Sequence, residues 1–209
     1  MISADLLERW RKIPVAVLVD VSKGACQIDP GIRPLRAPPQ QPRLFGRAVT
    51  ALCAPPDFGA VLGALDLVKA GDVLVIAAQG NAQHAMIGGI LGGHLRSKGA
   101  AGIVCDGAVR DVAELASWNE ISVYSRSTTP MGPTGVSLGE VNAPVMAGGL
   151  MVHPGDIVIG DDDGLAALTP SAAQTYIEAA EAKLVLEAEW IRMLAEGRAI
   201  TEFFGLDVA

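Results

Sequence analysis

Between residues 73 and 125 the chain alternates, at short and regular intervals, between apolar runs of strand length and segments spaced like helices. Residues 73–77, 102–105 and 121–125 read as strands, and about 85–98 and 108–118 read as helices. Just upstream, Val61, Leu62, Leu65 and Val68 recur at helical spacing within residues 58–69, before Gly71-Asp72 turns into the first of these strands. A tight turn can join antiparallel strands, but a parallel pair needs a crossover of helix length. Helices of this size between strands therefore predict parallel α/β units.

The flanks limit how that unit is completed. Residues 3–11 predict a helix with Leu6, Leu7 and Trp10 on one side. Residues 14–24 fit either a buried strand or a short helix, and periodicity does not separate the two. The proline-rich residues 27–43 predict an extended surface loop, and residues 44–53 a strand. Beyond Arg126, Ser, Thr, Pro and Gly dominate residues 127–143. Short β-like runs follow at 145–147, 157–159 and 165–168, joined by the turn sequences H-P-G-D and D-D-D-G. A long Ala- and Glu-rich helix is expected over about 171–196. With no internal repeat, residues 1–209 are expected to form one α/β domain with antiparallel elements and helices at both ends.

Composition narrows the function classes. The 209 residues are half hydrophobic but only 4% aromatic, so the core must be built from Val, Ile, Leu and Ala. A net charge of −7 disfavours nucleic acid and anionic membranes as partners. A small acidic substrate stays compatible, because a local arginine and a cation can override the global sign. The apolar run 14–19 is cut short by Asp20 and Lys23, and no apolar stretch reaches transmembrane length. Cys26, Cys53 and Cys105 lie in apolar surroundings without a CxxC pair, which suits a reducing compartment and predicts a cytoplasmic protein.

Two features could carry chemistry. In M-I-G-G-I-L-G-G-H-L, residues Ile87, Ile90, Leu91 and Leu95 predict an inward helix face, yet Gly88, Gly89, Gly92 and Gly93 each cost up to ~1 kcal/mol relative to Ala if helical. Either a helix start exposes its unpaired N–H groups to an anion, or the glycines permit close packing of helix on sheet. The second feature is Arg110-Asp111, placed after a predicted Asp106-Gly107 turn, beyond the carboxyl end of a strand, where open α/β sheets bind ligands. Arg offers a planar donor fork for a carboxylate or enolate, and Asp is a hard oxygen ligand for Mg²⁺ or Mn²⁺. Alone, the pair also fits a helix terminus with Asp111 favoured by the dipole. Asp161-Asp162-Asp163-Gly164 reads as a turn between apolar runs. His84 sits where it would meet a ligand at the glycine helix, whereas His94 and His153 read as structural.

The blocks G-D-V-L-V-I, K-G-A-A-G-I-V-C-D-G-A-V-R-D and P-G-D-I-V-I-G-D-D-D-G-L together resemble the RraA-like family, over roughly residues 14–169. That family includes 4-hydroxy-4-methyl-2-oxoglutarate / 4-carboxy-4-hydroxy-2-oxoadipate aldolases and a regulator that inhibits ribonuclease E. The resemblance implies a compact α-β-β-α sandwich related to the swivelling phosphohistidine-type domain, assembled as a homotrimer or a dimer of trimers. For an aldolase it implies that Arg110 stabilises a pyruvate enolate, Asp111 anchors Mg²⁺ or Mn²⁺, and the amides around Gly88, Gly89, Ile90 and Leu91 hold the substrate carboxylate. Glu187 or Glu189 of the partner subunit would approach the metal site. The substrate implied is a small 4-hydroxy-2-oxo acid, with oxaloacetate decarboxylation following from the same enolate. A non-catalytic regulator is the alternative, but that branch typically lacks the Arg-Asp pair kept here. The chain also departs from the aldolases, which carry an acidic residue twenty-one positions before the arginine, where this chain has Gly89.

Overall fold

A computed structural model describes residues 2–203. The chain enters through helices α1 (Ala4–Trp10) and α2 (Val15–Val21), then β1 (Arg33–Pro34), β2 (Leu44–Leu52), α3 (Gly59–Leu67) and β3 (Asp72–Ile87). Next come α4 (Gly89–Ser97), β4 (Gly102–Val109), α5 (Val112–Leu115) and β5 (Ser122–Thr128). Five short strands follow: β6 (Glu140–Val141), β7 (Val145–Ala147), β8 (Leu150–Val152), β9 (Ile157–Asp161) and β10 (Gly164–Leu168). The chain closes with α6 (Pro170–Ala195) and α7 (Ile200–Phe203).

The main sheet has the order β1-β5-β4-β3-β2-β9-β10, with β6 also paired to β2. Its centre, β2 through β5, is parallel as the alternation predicts, and β1, β9 and β10 join antiparallel. Because successive strand residues face opposite sides, the residue parity reveals the layers. Leu74, Ile76, Ile103 and Cys105 pack under α3, α4 and α5, whereas Val73, Val75, Ala77 and Val104 face the other way. That second face meets Val158, Leu165 and Ala167 of β9 and β10, whose alternate residues Ile157, Ile159, Ala166 and Leu168 are covered by α1, α2 and α6. The sheet therefore curls onto itself around an inner apolar layer. The Tyr124 hydroxyl of β5 donates across that layer to the Asp161 carbonyl of β9 at 3.0 Å. Helices outside and sheet faces inside make the expected α-β-β-α sandwich.

Within residues 14–24, Val15–Val21 resolve as a helix. Val15 and Leu18, three apart, turn inward onto β9, β10 and α6, and the Asp161 carboxylate accepts the Val15 N–H at 2.9 Å. At the other end, Thr169 caps α6 by accepting the Ala172 N–H, with Pro170 at the first helical position. The Trp10 indole donates to the Ala173 carbonyl at 3.0 Å, locking α1 to α6.

Two boundaries near the site differ from expectation. Residues 85–87 continue β3 rather than opening the helix, because Ala85 and Ile87 still pair with Ala108 and Val109. Asp106-Gly107 is likewise not a turn but the middle of β4, and the expected helix 108–118 shrinks to the single turn α5. Asp106 can lie in a buried strand because its carboxylate is satisfied by Arg126 Nε at 2.6 Å and by the Gly148 N–H at 2.8 Å. Arg126 also bridges to Asp29 at 3.0 Å, which ties the proline-rich loop and the β7-β8 hairpin to the sheet. Gly107 is a packing glycine, since a Cβ there would lie 2.8 Å from the Ala78 methyl.

Candidate active site

The site forms where β3 and β4 leave the sheet together. The Arg110 N–H donates to the Ile87 carbonyl at 3.1 Å, so the two chains stay paired one step beyond the strands. Gly88 caps α4 in an extended conformation, and Asp111 caps α5 from the left-handed region, at φ 57° and ψ 41°. That conformation is uncommon for a residue with a side chain, and such outliers cluster at functional sites. It aims the Asp111 carboxylate back at α4, where Oδ2 accepts the Gly89 N–H at 2.9 Å and lies 3.7 Å from Arg110 Nε.

Each glycine has its own reason. A Cβ at Gly88 would sit 2.6 Å from Asp111 Oδ2 and 2.7 Å from Arg110 Cγ, so this glycine makes room for the charge pair. At Gly89 it would sit 2.7 Å from Glu114 Cδ, and closer still to Oε2. At Gly92 it would meet Leu115 and Trp118, so this glycine serves helix packing, while Gly93 faces open space. The close-packing reading of the glycine stretch holds at Gly92, and Gly88 instead gives room to the charge pair.

The amide cradle is narrower than expected. Asp111 already takes the Gly89 N–H, leaving those of Ile90 and Leu91 without an acceptor among the described residues. Nor does Ile90 belong to an inward face. Its side chain is 83% exposed, because β3 runs on to Ile87 and the helix starts only at Gly89, burying Gly89, Gly92 and Leu95 instead.

A cavity of about 280 Å³ joins these parts, with Gly88, Ile90, Leu91, Arg110 and Asp111 on one side and Phe58, Leu62, Met86 and Pro133 on the other. The loop after β5 forms part of its rim. Ala85 N–H donates to the Met131 carbonyl at 2.8 Å, and a Cβ on Gly132 would come within 2.7 Å of Arg110 Nη1. The base of α3 is fixed to the neighbouring loop by Asp57, whose carboxylate accepts N–H groups from Gly59, Ser137 and Leu138 at 2.7, 3.0 and 3.1 Å. Burial would raise the Asp57 pKa, but these backbone donors outweigh it and hold the carboxyl below its ordinary value.

The remaining candidates lie elsewhere. Glu187 and Glu189 are on the outer half of α6, away from their own chain's cavity, and Glu187 pairs with Lys183 at 3.3 Å. His84 does not line the cavity, His94 is exposed rather than structural, and His153 pairs with Asp156 at 3.4 Å. Asp161 to Asp163 form the β9-β10 turn, as expected, with Asp161 accepting the Asp163 N–H. Glu114, Gly132 and Phe58 are the site residues that sequence reasoning missed. Only the i, i+3 spacing of Asp111 and Glu114 could have signalled one of them.

With this geometry in place, comparison with known proteins is specific. The family model described as RraA-like (Aldolase/RraA) matches residues 4–166. A Halalkalibacterium halodurans protein named "Putative 4-hydroxy-4-methyl-2-oxoglutarate aldolase" is 31% identical over 179 residues, which is 86% of this chain and 83% of that one. A crystal structure of an uncharacterized Pseudomonas syringae protein superposes with a TM-score of 0.82 over 97% of this chain and 98% of its own. At 23% identity, that likeness is one of fold alone. Streptomyces coelicolor RraAS2, an unusual member of the RNase ES inhibitor RraA protein family, gives 0.77 at 26% identity, over 92% of this chain and 99% of its own.

Proposed function

This chain belongs to the RraA-like family, and from that premise we propose that it is a divalent-metal-dependent lyase releasing pyruvate from a 4-hydroxy-2-oxo acid. Oxaloacetate decarboxylation would use the same enolate. The observation that carries the reading is convergence on one cavity: the Arg110 guanidinium, the Asp111 carboxylate and the two unpaired amides of Ile90 and Leu91.

In the cleavage, the 4-hydroxyl loses its proton and becomes a carbonyl. The electron pair of the C3–C4 bond moves into the pyruvyl unit, which becomes an enolate and is then protonated to pyruvate. The Ile90 and Leu91 amides hold the substrate carboxylate at the helix start, where the dipole favours an anion. Arg110 donates to the oxygen on which enolate charge develops, which is worth most where water is kept out. Phe58, Leu62 and Pro133 supply that apolar wall.

Asp111 would hold Mg²⁺ or Mn²⁺. The fit is chemical: its donor is a hard oxygen, and Asp111 is the carboxylate among the residues lining the cavity. A site so sparing in protein ligands suits a cation that keeps much of its water, as Mg²⁺ does. Bound there, the cation would polarise the 2-oxo group as a Lewis acid. The assembly proposed is a homotrimer or a dimer of trimers, with Glu187 or Glu189 of the partner subunit completing the site. The outer half of α6 supports this, since Val185 and Ile191 are 70% and 69% exposed there. Among the described residues no helix is long and apolar enough to cross a membrane, and a cytoplasmic location is proposed.

The kinship with RraAS2 favours a second reading, a non-catalytic regulator of a partner protein. Pyruvate release from a panel of 4-hydroxy-2-oxo acids and oxaloacetate, with and without EDTA, separates the two. An enzyme should turn over, lose activity to EDTA, and lose ~10²–10³-fold in turnover on Arg110→Ala. No turnover, together with no thermal shift from oxalate plus Mn²⁺, would leave the regulator.

A further inference from the structure

We propose that the acid taken by this site is a monocarboxylate, a 4-hydroxy-2-oxo acid with a short alkyl group on C4 in place of a second carboxylate, selected by Phe58 and Leu62. The inference rests on the lyase reading above and names its substrate class.

The charges of the cavity are all committed to the pyruvyl end. Among the described residues lining it, Arg110 is the one cation and Asp111 the one anion, and they stand 3.7 Å apart. In the proposed reaction these two and the Ile90 and Leu91 amides serve the 2-oxo carboxylate unit. Across the cavity the far end of the acid meets Phe58, Leu62, Met86 and Pro133, whose side chains offer no hydrogen-bond donor. An ionised carboxylate against that wall would lose its water and gain no partner, whereas an alkyl group gains from the same contact. The space on the other side of the charge pair adds no cation, only the hydroxyls of Thr128 and Thr129. Arg126, in the same strand as Thr128, is taken by Asp106 and Asp29 at 2.6 and 3.0 Å. The partner-subunit residue proposed above, Glu187 or Glu189, brings further negative charge.

The apolar wall is held in place by backbone bonds. Phe58 N–H donates to the Gly135 carbonyl and Thr134 N–H to the Pro56 carbonyl, both at 3.0 Å, so the entry of α3 and the loop bearing Pro133 are stitched together on either side of Asp57. They lie so close that a Cβ on Gly59 would come within 2.6 Å of the Val136 backbone. The cavity, about 280 Å³, lies at the small end of ligand sites, which begin near ~300 Å³, so the alkyl group is one of a few carbons. Cleavage then gives pyruvate and a short aliphatic aldehyde. The 4-hydroxyl proton leaves, the C3–C4 bond breaks, its electron pair enters the pyruvyl enolate, and C3 takes up a proton, with no net oxidation.

The test is kcat/KM for pyruvate release by the full chain with Mg²⁺, comparing 4-hydroxy-2-oxopentanoate and 4-hydroxy-2-oxohexanoate with 4-hydroxy-2-oxoglutarate. The alkyl acids should be favoured by about tenfold or more, the scale on which an apolar pocket discriminates. The difference should lie mainly in KM, because the far end touches the same wall before and during bond breaking. Leu62 is half-buried, so a lysine there can lay its stem on the wall and keep its head in the cavity. Leu62→Lys should therefore shift the ratio about tenfold toward 4-hydroxy-2-oxoglutarate, the worth of one charged hydrogen bond, with melting temperature as the folding control. Equal or greater kcat/KM for 4-hydroxy-2-oxoglutarate in the wild type would overturn the proposal while the lyase stands. An unchanged ratio in a folded Leu62→Lys variant would overturn the role of Leu62. If none of the acids releases pyruvate, the lyase reading and this one fall together. If Leu62→Lys does not fold, the wild-type ratio decides alone.

Discussion

Gly88→Ala adds one methyl group where the geometry has no room for it. The backbone at Gly88, φ −152° and ψ −162°, is ordinary extended chain, so conformational strain plays no part. The new Cβ would lie 2.6 Å from Asp111 Oδ2, 2.7 Å from Arg110 Cγ and 3.2 Å from Arg110 Nε. Comfortable contacts begin near 3.5 Å, so both side chains must retreat by roughly 0.8 Å. Misplacing reacting groups by about 1 Å costs about 10²-fold in rate. The stability cost is smaller. The hydrogen bond from Gly89 N–H to Asp111 is worth about 1 kcal/mol where it is half exposed, and Ala recovers about 0.4–1 kcal/mol by restricting the unfolded chain. For a chain of this size the net change should move the melting temperature by no more than about 4 °C. Coupled detection of pyruvate, run beside a thermal melt, reads both. Turnover within twofold of wild type at an unchanged melting temperature would refute the reasoning, and so would a collapse in stability, which would make Gly88 a folding residue.

Two further perturbations probe the scaffold around the site. Asp106→Ala strands Arg126 among β4, β5 and the proline-rich loop, and should cost about 3 kcal/mol. That appears as a fall of roughly 6–12 °C in a thermal melt, and a loss under 2 °C would mean the network is solvated. Asp57, whose folded pKa is lowered, contributes stability that is fully present above its unfolded value near pH 4 and is lost as pH falls through the folded value. Wild type should therefore melt above Asp57→Asn at neutral pH, with the gap closing as the pH falls below about 4; a gap constant with pH would refute that assignment.

Much of the scaffold was legible in the sequence because burial on both faces of a parallel sheet leaves an unmistakable pattern. The runs at 73–77 and 102–105 are almost wholly apolar, and they form the centre of the sheet. The pattern failed where polar residues are satisfied by partners far away in the chain. Asp106-Gly107 has the composition of a turn, and only Arg126 and Gly148, distant in sequence, make it tolerable inside a strand. The same error moved the expected helix start from Gly89 to Ala85 and turned Ile90 inward on paper. Arg110-Asp111 was legible as a pair because both residues carry their chemistry in their identity. Gly132 was not, because its importance lies in the Arg110 side chain that it faces across the fold.

The pairing of Arg110 with Ile87 just past the sheet has a consequence for how such a protein diversifies. The floor of the cavity is an extension of two neighbouring strands, so its dimensions follow from the sheet and cannot drift far without loss of the fold. The opposite wall is Phe58 and Leu62 at the start of α3 and Pro133 in the loop after β5, none of which holds the charge pair. Under the proposed function, reaction and selectivity would thus be mounted on separate pieces of chain. Recombining walls from relatives onto this floor would then be the economical route to new substrates, with the charge pair carried along unchanged.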